Sequence, residues 1–581
     1  MFFRLKTSGP RRYLQIVENH REGGAVRQQV IATIGRLDEL AASGGLAALL
    51  ASGARFCEQV LLLAALDNPE HEPRLQARRI GAPLVFGRLW QEIGCQAVLE
   101  ELLAGRAFAF PVERAIFTAV LHRIMISGSD RACEKWQADY TIPGAADLDL
   151  HHFYRAMAWL GEALPGEAAQ QHATPFAPRT IKDQIEEALF ARRRDLFSDL
   201  SVVFLDTTSL SFTGEGGETL GARGHSKDHR PDLQQMIVGV VIDAHGRPIC
   251  SELWPGNTAD VGALLPVIDR LRHRFGIGRV CVVADRGMIS QPTMAALEER
   301  GLEYILGARE RSDKLVREVV LADDRPFTPL LVERVRGDTQ LFVKEVVVEQ
   351  RRYIVCRNEA EAAKDAATRT AVVEGLDRQL KQGDKALIGN AAYRRYLRRA
   401  RPVDGGKAGP AFEIDPGKLA DEARFDGIFV LRTNAKVMPL QVVLRYRDLL
   451  QVEELFRTAK MLLRTRPIYH SCDEAIRGHV FCSFLALVLR KELQRRWELA
   501  ALKPEWGDLL RDLDRLQEAT LEQDGKRWRL RTEATGVLPP LLKALGIALP
   551  PRVQATGPPT AAPATTPSKR RGRPRRSAKR T

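Results

Sequence analysis

The chain has 581 residues, too many for one hydrophobic core, and its 45% hydrophobic and 28% charged residues are the composition of a folded, water-soluble protein. No apolar run approaches the roughly 18–20 residues of a membrane span, and the opening MFFRLKTSGPRRYL is too basic for a signal peptide, which excludes secreted and integral-membrane classes. The formal net charge is +14, and eight of the cations with no acidic residue lie between Ala555 and Thr581, so a polyanion, nucleic acid first, is the expected partner. Eight cysteines scattered without a CxxC pair fit a reduced, cytoplasmic compartment better than a zinc ribbon or a dithiol.

In chain order, YLQIVENHREGGAVRQQVIATIG reads as a hairpin turning at Glu22–Gly24, within a first region, 1–75, that ends in a linker. Residues 76–195 carry apolar positions at helical spacing and are expected to form a helical, DNA-binding domain. The pattern then changes. SVVFLD, QMIVGVVID and ICSELW are three strands in quick succession, followed by a helix, the strand RVCVVAD, a second helix and the strand EYILGAR. That order predicts an α/β fold with a ribonuclease H-like mixed sheet, its first part at 196–310. A β-rich insertion is expected at 311–425, and the core resumes at 426–500 with DGIFVLRTN and a long helix. A helical region (501–553) and a disordered basic tail (554–581) close the chain.

Three carboxylates stand out. Asp206 interrupts the apolar run VVFLDTTSLSF, where a carboxylate is costly unless paired, hydrogen-bonded or bound to a metal; a strand-end aspartate capped by Thr207 and Thr208 is the plain alternative. Asp285 ends VCVVAD, and ligands of α/β sheets gather at strand carboxyl ends, although an Asp-Arg-Gly turn would read the same. Along RYRDLLQVEELFRTAKMLL, Tyr446, Glu453 and Lys460 are seven apart, so each step rotates a helix by only about −20° and the three share a face. Leu449 and Phe456 share it too, which predicts that Glu453 points toward the core and Glu454 toward Arg457 and solvent; a helix with a solvated Glu–Lys edge is the plain alternative.

Together, LDTTSLSF, VVADRG and Y-x6-E-x6-K resemble the DDE transposases of bacterial insertion sequences, in the branch with the tyrosine–glutamate–lysine signature and a β-rich insertion. GHSKDHRPDLQQMIVGVVID, PGNTAD, LRTN and RPIYHSCDEAIRGHVFCSFLAL extend the likeness over about Leu205 to Arg490. The resemblance implies that Asp206, Asp285 and Glu453 hold Mg2+, or Mn2+ in its place, for hydrolytic cleavage and strand transfer. It implies that Tyr446, Lys460, Arg286 and Arg457 meet DNA phosphates. The partners would be double-stranded transposon ends and target DNA bound by a homodimer, in a cytoplasmic, nucleoid-associated setting, with no membrane. One departure is Leu449, where the branch often carries arginine; Arg447 or Arg457 is then left to make that phosphate contact.

The polar cluster His225, Lys227, Asp228, His229, Arg230 and Asp232 reads as a DNA-contacting loop or a charged hairpin. In the tail, Arg571-Gly572-Arg573-Pro574 resembles an AT-hook, in which Arg571 and Arg573 would enter a narrow minor groove; a nonspecific polybasic tail is the alternative. Two rival functions remain at this point: a nuclease of the same fold that cuts without joining, and a catalytically inactive DNA-binding protein.

Overall fold

The computed structural model describes residues 1–555 except 23–24, 47, 50–51, 53–73, 171–172, 174–177, 194–201, 225, 227–229, 259, 277–280, 286–289, 309, 333–338, 350, 383–394, 400–411, 463–467 and 524–525. Arg286, Arg571, Arg573 and four members of the polar cluster, His225, Lys227, Asp228 and His229, therefore lie outside the described residues. Two compact units are present: residues 1–85, 138–141 and 504–581 form one, and residues 86–137 and 142–503 the other.

The first unit opens with an antiparallel sheet of β1 (Phe2–Ser8), β2 (Arg11–Glu22) and β3 (Ala25–Arg36). β2 and β3 pair as far as Glu22 with Ala25, the hairpin expected there, and residues 23–24 lie outside the described residues. A further strand, β4 (Arg74–Arg79), belongs to a second sheet completed by the C-terminal segment.

The second unit holds a nine-stranded mixed sheet. Its first strands are β5 (Val202–Ser211), β6 (Gln235–Asp243), β7 (Pro248–Pro255), β8 (Cys281–Ala284) and β9 (Glu303–Gly307). They are followed by β10 (Thr328–Val332), β11 (Thr339–Val348) and β12 (Arg351–Arg357); a small hairpin of β13 (Leu397–Arg399) and β14 (Phe412–Ile414) precedes β15 (Ile428–Thr433). The sheet order is β10-β11-β12-β15-β9-β8-β5-β6-β7. β5, β8 and β9 run parallel, while β6 and β7 return antiparallel. Every residue of β6 is buried, as expected of an interior strand covered on both faces. The region expected to be an insertion contributes β10–β12 to this same sheet: β12 pairs with β15, and β15 with β9.

Helices cover the sheet. Leu264, Val267, Ile268 and Leu271 of the Asp260–Phe275 helix pack on Val203, Leu205, Val282 and Ala284. Beside them, a buried ionic network joins that helix to β7 and to the Ile181–Arg193 helix. Arg274 meets Glu186 at 3.0 Å, Arg270 meets Asp183 at 2.7 Å and Glu252 at 2.9 Å, and Lys182 meets Glu186 at 3.0 Å. Burial alone would raise Asp183, but Lys182, Arg274 and Arg270 hold it well below the usual carboxylate range. A helical layer is built on the 27-residue Asp473–Leu499 helix, whose crossing with Leu150–Gly161 is fixed by Gly161 and Gly478. A Cβ at Gly478 would sit 1.9 Å from the Met157 carbonyl oxygen, so only glycine permits that approach.

The C-terminal segment departs from the expected helical region. Helices Trp506–Arg515 and Leu538–Ala544 are present, but β16 (Gln517–Gln523), β17 (Lys526–Arg531) and β18 (Val553–Ala555) pair with β4 in the order β18-β17-β16-β4. The physical reason is alternation: Leu521, Trp528 and Leu530 share a small core with Val553, and charged residues alternate with them along both strands. Gln554 and Ala555 are strand residues rather than the start of the tail.

Candidate active site

Asp206 and Asp285 come together through strand register. β5 and β8 pair in parallel with Val202 opposite Cys281 and Phe204 opposite Val283. Continuing the register by two residues sets Asp206 level with Asp285, which directly follows β8. Side chains alternate along strands. Val203, Leu205, Val282 and Ala284 face the Asp260–Phe275 helix, so Phe204, Asp206, Val283 and Asp285 share the opposite face. Adjacent strands lie about 4.8 Å apart, which makes the two aspartates neighbours. Both are half-buried, and Asp206 accepts a hydrogen bond from its neighbour's backbone, Thr207 N, at 2.7 Å.

Two helical segments cross this face. Pro439–Asp448 packs on β8, β9 and β15, and Leu450–Arg457 packs on β5 and β6. Tyr446 Oη donates to Asp285 Oδ1 at 3.2 Å, fixing one carboxylate oxygen. Val452, Leu455 and Phe456 are buried against the sheet, while Glu453 and Glu454 are exposed. The expectation that Glu453 points to the core is thus corrected. The helix it assumed is not uniform: at Leu449 the dihedrals stay helical while the turn tightens (Val452 N donates to Leu449 O at 2.9 Å), and Thr458–Leu462 is a π-helical turn that includes Lys460. The wider π turn shifts the phase, so seven residues no longer return Lys460 to the azimuth of Glu453.

The two glutamates have different surroundings. Glu454 faces Arg490 of the Asp473–Leu499 helix: burial pulls that guanidinium down to about 10, and Glu454 opposes the shift. Glu453 makes no ion pair among the described residues. Arg457 is exposed, and Arg447 is half-buried with a buried Nη1 that has no hydrogen-bond partner among the described residues. Asp473 was missed by sequence reasoning. It accepts hydrogen bonds from the backbone of Glu218 (3.0 Å) and Thr219 (3.3 Å), and so ties the loop after β5 to the start of the long helix. Its signal was an acidic pair, Asp473-Glu474, at a helix start, which any helix N-terminus would give.

Asp206, Asp285 and Glu453 carry only oxygen donors, the type a hard divalent cation takes. Their ligand atoms are not within 4.8 Å of one another; the clusters that tight among the described residues are Asp130–His470–His479 and Asp149–His151–His152. A two-cation site spans more space than a single coordination sphere. The Asp149 group is a helix cap, in which Asp149 N donates to His152 Nδ1 at 2.9 Å.

Residues 197–489 match the model of the Transposase DDE domain, half of the chain, and the chain belongs to that family. Residues 3–68 match the IS1634 family transposase N-terminal domain. A Burkholderia cepacia protein named as a putative transposase for insertion sequence element IS402 is 38% identical over 77 residues, 12% of this chain; the chain spans about a third (36%) of that relative's length. A piggyBac transposase synaptic complex with hairpin DNA, 11% identical, superposes with a TM-score of 0.38 over 77% of this chain and 82% of that one. Among the described residues, no helix is long and apolar enough to cross a membrane.

Proposed function

We propose that the chain is the DNA transposase of an insertion sequence, in the tyrosine–glutamate–lysine branch, with a ribonuclease H-like core formed by β7-β6-β5-β8-β9. Three antiparallel strands followed by two parallel ones support that reading of the sheet. The observation that carries it is the placement of Asp206 level with Asp285 on one face, beneath the helix bearing Glu453.

In this reading Asp206, Asp285 and Glu453 hold Mg2+, with Mn2+ as a substitute. When bound, the cations stabilise the attacking and leaving oxygens of an in-line phosphodiester displacement. Tyr446 keeps the Asp285 carboxylate turned toward the shared face. Lys460, Arg457 and Arg286 bind the phosphates flanking the scissile one. The substrates are double-stranded transposon ends and target DNA, engaged by a homodimer on the nucleoid in the cytoplasm.

A strand-transfer assay tests this. A labelled duplex carrying the terminal repeat beside the gene, incubated with full-length protein, Mg2+ and a circular target, should yield labelled ends covalently joined to the circle. Cleaved ends with no joined product would make the chain a nuclease, and neither product would make it a binding protein.

A further inference from the structure

Outside the carboxylate site, the second unit contains a cleft of about 1020 Å³ between the Leu150–Gly161 helix, the start of Asp130–Trp136 and the segment leading into Asp473–Leu499. Its floor is the Asp130–His470–His479 group, which has the composition of a metal site. The hydrogen bonds argue otherwise. Arg123 Nη2 lies 3.1 Å from His479 Nδ1 and 3.3 Å from Asp130 Oδ1. A guanidinium can only donate, so His479 Nδ1 accepts and its proton sits on Nε2, which leaves no lone pair there for a metal. His470 Nε2 lies 3.2 Å from Asp130 Oδ2. Burial would raise Asp130, but the His470 hydrogen bond and Arg123 outweigh it and hold the carboxyl well below its usual range. Both oxygens of this carboxylate are therefore already engaged, one by Arg123 and one by His470.

What remains is cationic and aromatic. Arg131 is exposed at the rim. The Arg155 guanidinium is held over Phe110 and Phe108, 5.6 and 5.9 Å from their centroids. Tyr154 packs edge-on against His470 and is 42% exposed, and Tyr469 is 66% exposed. The cleft is tethered to the strand bearing Asp206: Thr213 N donates to Ile468 O at 2.9 Å and Ile468 N to Ser211 O at 3.2 Å, and Tyr469 follows at once. Ser211 is five residues beyond Asp206, about 17 Å along a strand.

We propose that this cleft binds an unpaired segment of DNA strand near the carboxylate site, with phosphates against Arg131 and Arg155 and a base stacked on Tyr469. The inference rests on the transposase reading for its ligand. Stacking on an exposed ring with flanking cations is the chemistry that holds single strands without reading sequence.

The test uses full-length protein without divalent metal and the anisotropy of a labelled oligothymidylate of about 15 nucleotides. Tyr469→Ala should weaken binding about tenfold and Tyr469→Phe should retain it, because the ring and not the hydroxyl stacks. Arg131→Ala should make the slope of log affinity against log salt shallower by about 0.7. A blunt duplex should change less than about twofold in each variant. Both residues are exposed, so the fold should survive the changes. Equal losses on duplex and single strand, or no loss in Tyr469→Ala and Arg131→Ala, overturn the cleft. If wild-type protein joins no ends in Mg2+ while single-strand binding depends on Tyr469, the transposase reading falls and the cleft stands. If joining proceeds and Tyr469→Ala binds normally, the reverse holds.

Discussion

Two groups of carboxylates in the second unit are treated in opposite ways. Asp183, Glu186 and Glu252 are buried and each meets Lys182, Arg270 or Arg274 within 3.5 Å. Asp206, Asp285 and Glu453 lie at the other face of the same sheet, half-buried or exposed, and neither Asp285 nor Glu453 forms an ion pair among the described residues. The first group balances its charge inside the protein and serves to dock helices on β7. That difference in burial and pairing, more than the residue types, separates the structural network from the carboxylates proposed to hold cations.

The largest expected effect lies in the second group. Asp206→Asn, Asp285→Asn and Glu453→Gln should each reduce cleavage of a transposon end by on the order of a thousandfold, since cation stabilisation of the transition state is worth several kcal/mol. Binding of the uncleaved end should persist in a gel-shift titration, and stability in urea should be unchanged. Near wild-type cleavage by any one variant would remove that residue from the site.

The structural network predicts the converse. Arg274→Met leaves Glu186, Asp183 and Glu252 short of a buried partner, and unfolding in urea should show a loss of about 3–5 kcal/mol. Its pH dependence follows from Asp183. A carboxyl held low in the folded state is less protonated there than in the unfolded chain, so its contribution is present above about pH 4 and lost as pH falls further. A stability profile that stays flat from pH 6 to 3 would contradict that assignment.

A smaller contrast lies within the helix over the aspartates. Lys460→Ala should impair cleavage about tenfold or more, on the scale of one charge-assisted hydrogen bond to a phosphate, whereas Glu454→Gln, which faces Arg490, should change it less than about threefold. Equal effects, or a larger loss in Glu454→Gln, would overturn the assignment of Lys460 to the phosphates and of Glu454 away from them. The smallest effect is expected from removing the tail. The cut belongs after Ala555, because Gln554 and Ala555 pair with Arg529 and Trp528. Such a truncation should leave stability and cleavage intact and flatten the salt dependence of DNA binding by about 0.9 for each phosphate the tail neutralises. A greater loss on A·T-rich than on G·C-rich duplex would mark Arg571 and Arg573 as minor-groove readers.

Local pattern pointed to much of this candidate site. Asp206 within an apolar run and Asp285 at the end of one were visible because burying a carboxylate there needs a reason. The N-terminal hairpin was legible from its glycines. The helix over the site was not, because periodicity assumes an unbroken α-helix and cannot register the turn at Leu449 or the π turn at Thr458–Leu462. Pairing across long separations was also out of reach: nothing near Ile428 announces that it pairs with Arg357, nor near Arg79 that it pairs with Gln517. The β16–β17 hairpin did have a signal in Asp524-Gly525 between alternating strands, a turn pair that favours hairpins, and the expectation of helix passed over it. The cleft at Asp130 was illegible because its members come from three distant segments.

The most direct test of the central claim is where a divalent cation goes. In crystals of the protein grown with Mn2+, anomalous scattering should place the metal between Asp206, Asp285 and Glu453 and none against Asp130, His470 and His479. Asp285→Asn should remove or weaken the signal. Manganese bound at the histidine cluster, with the three carboxylates bare, would contradict the account.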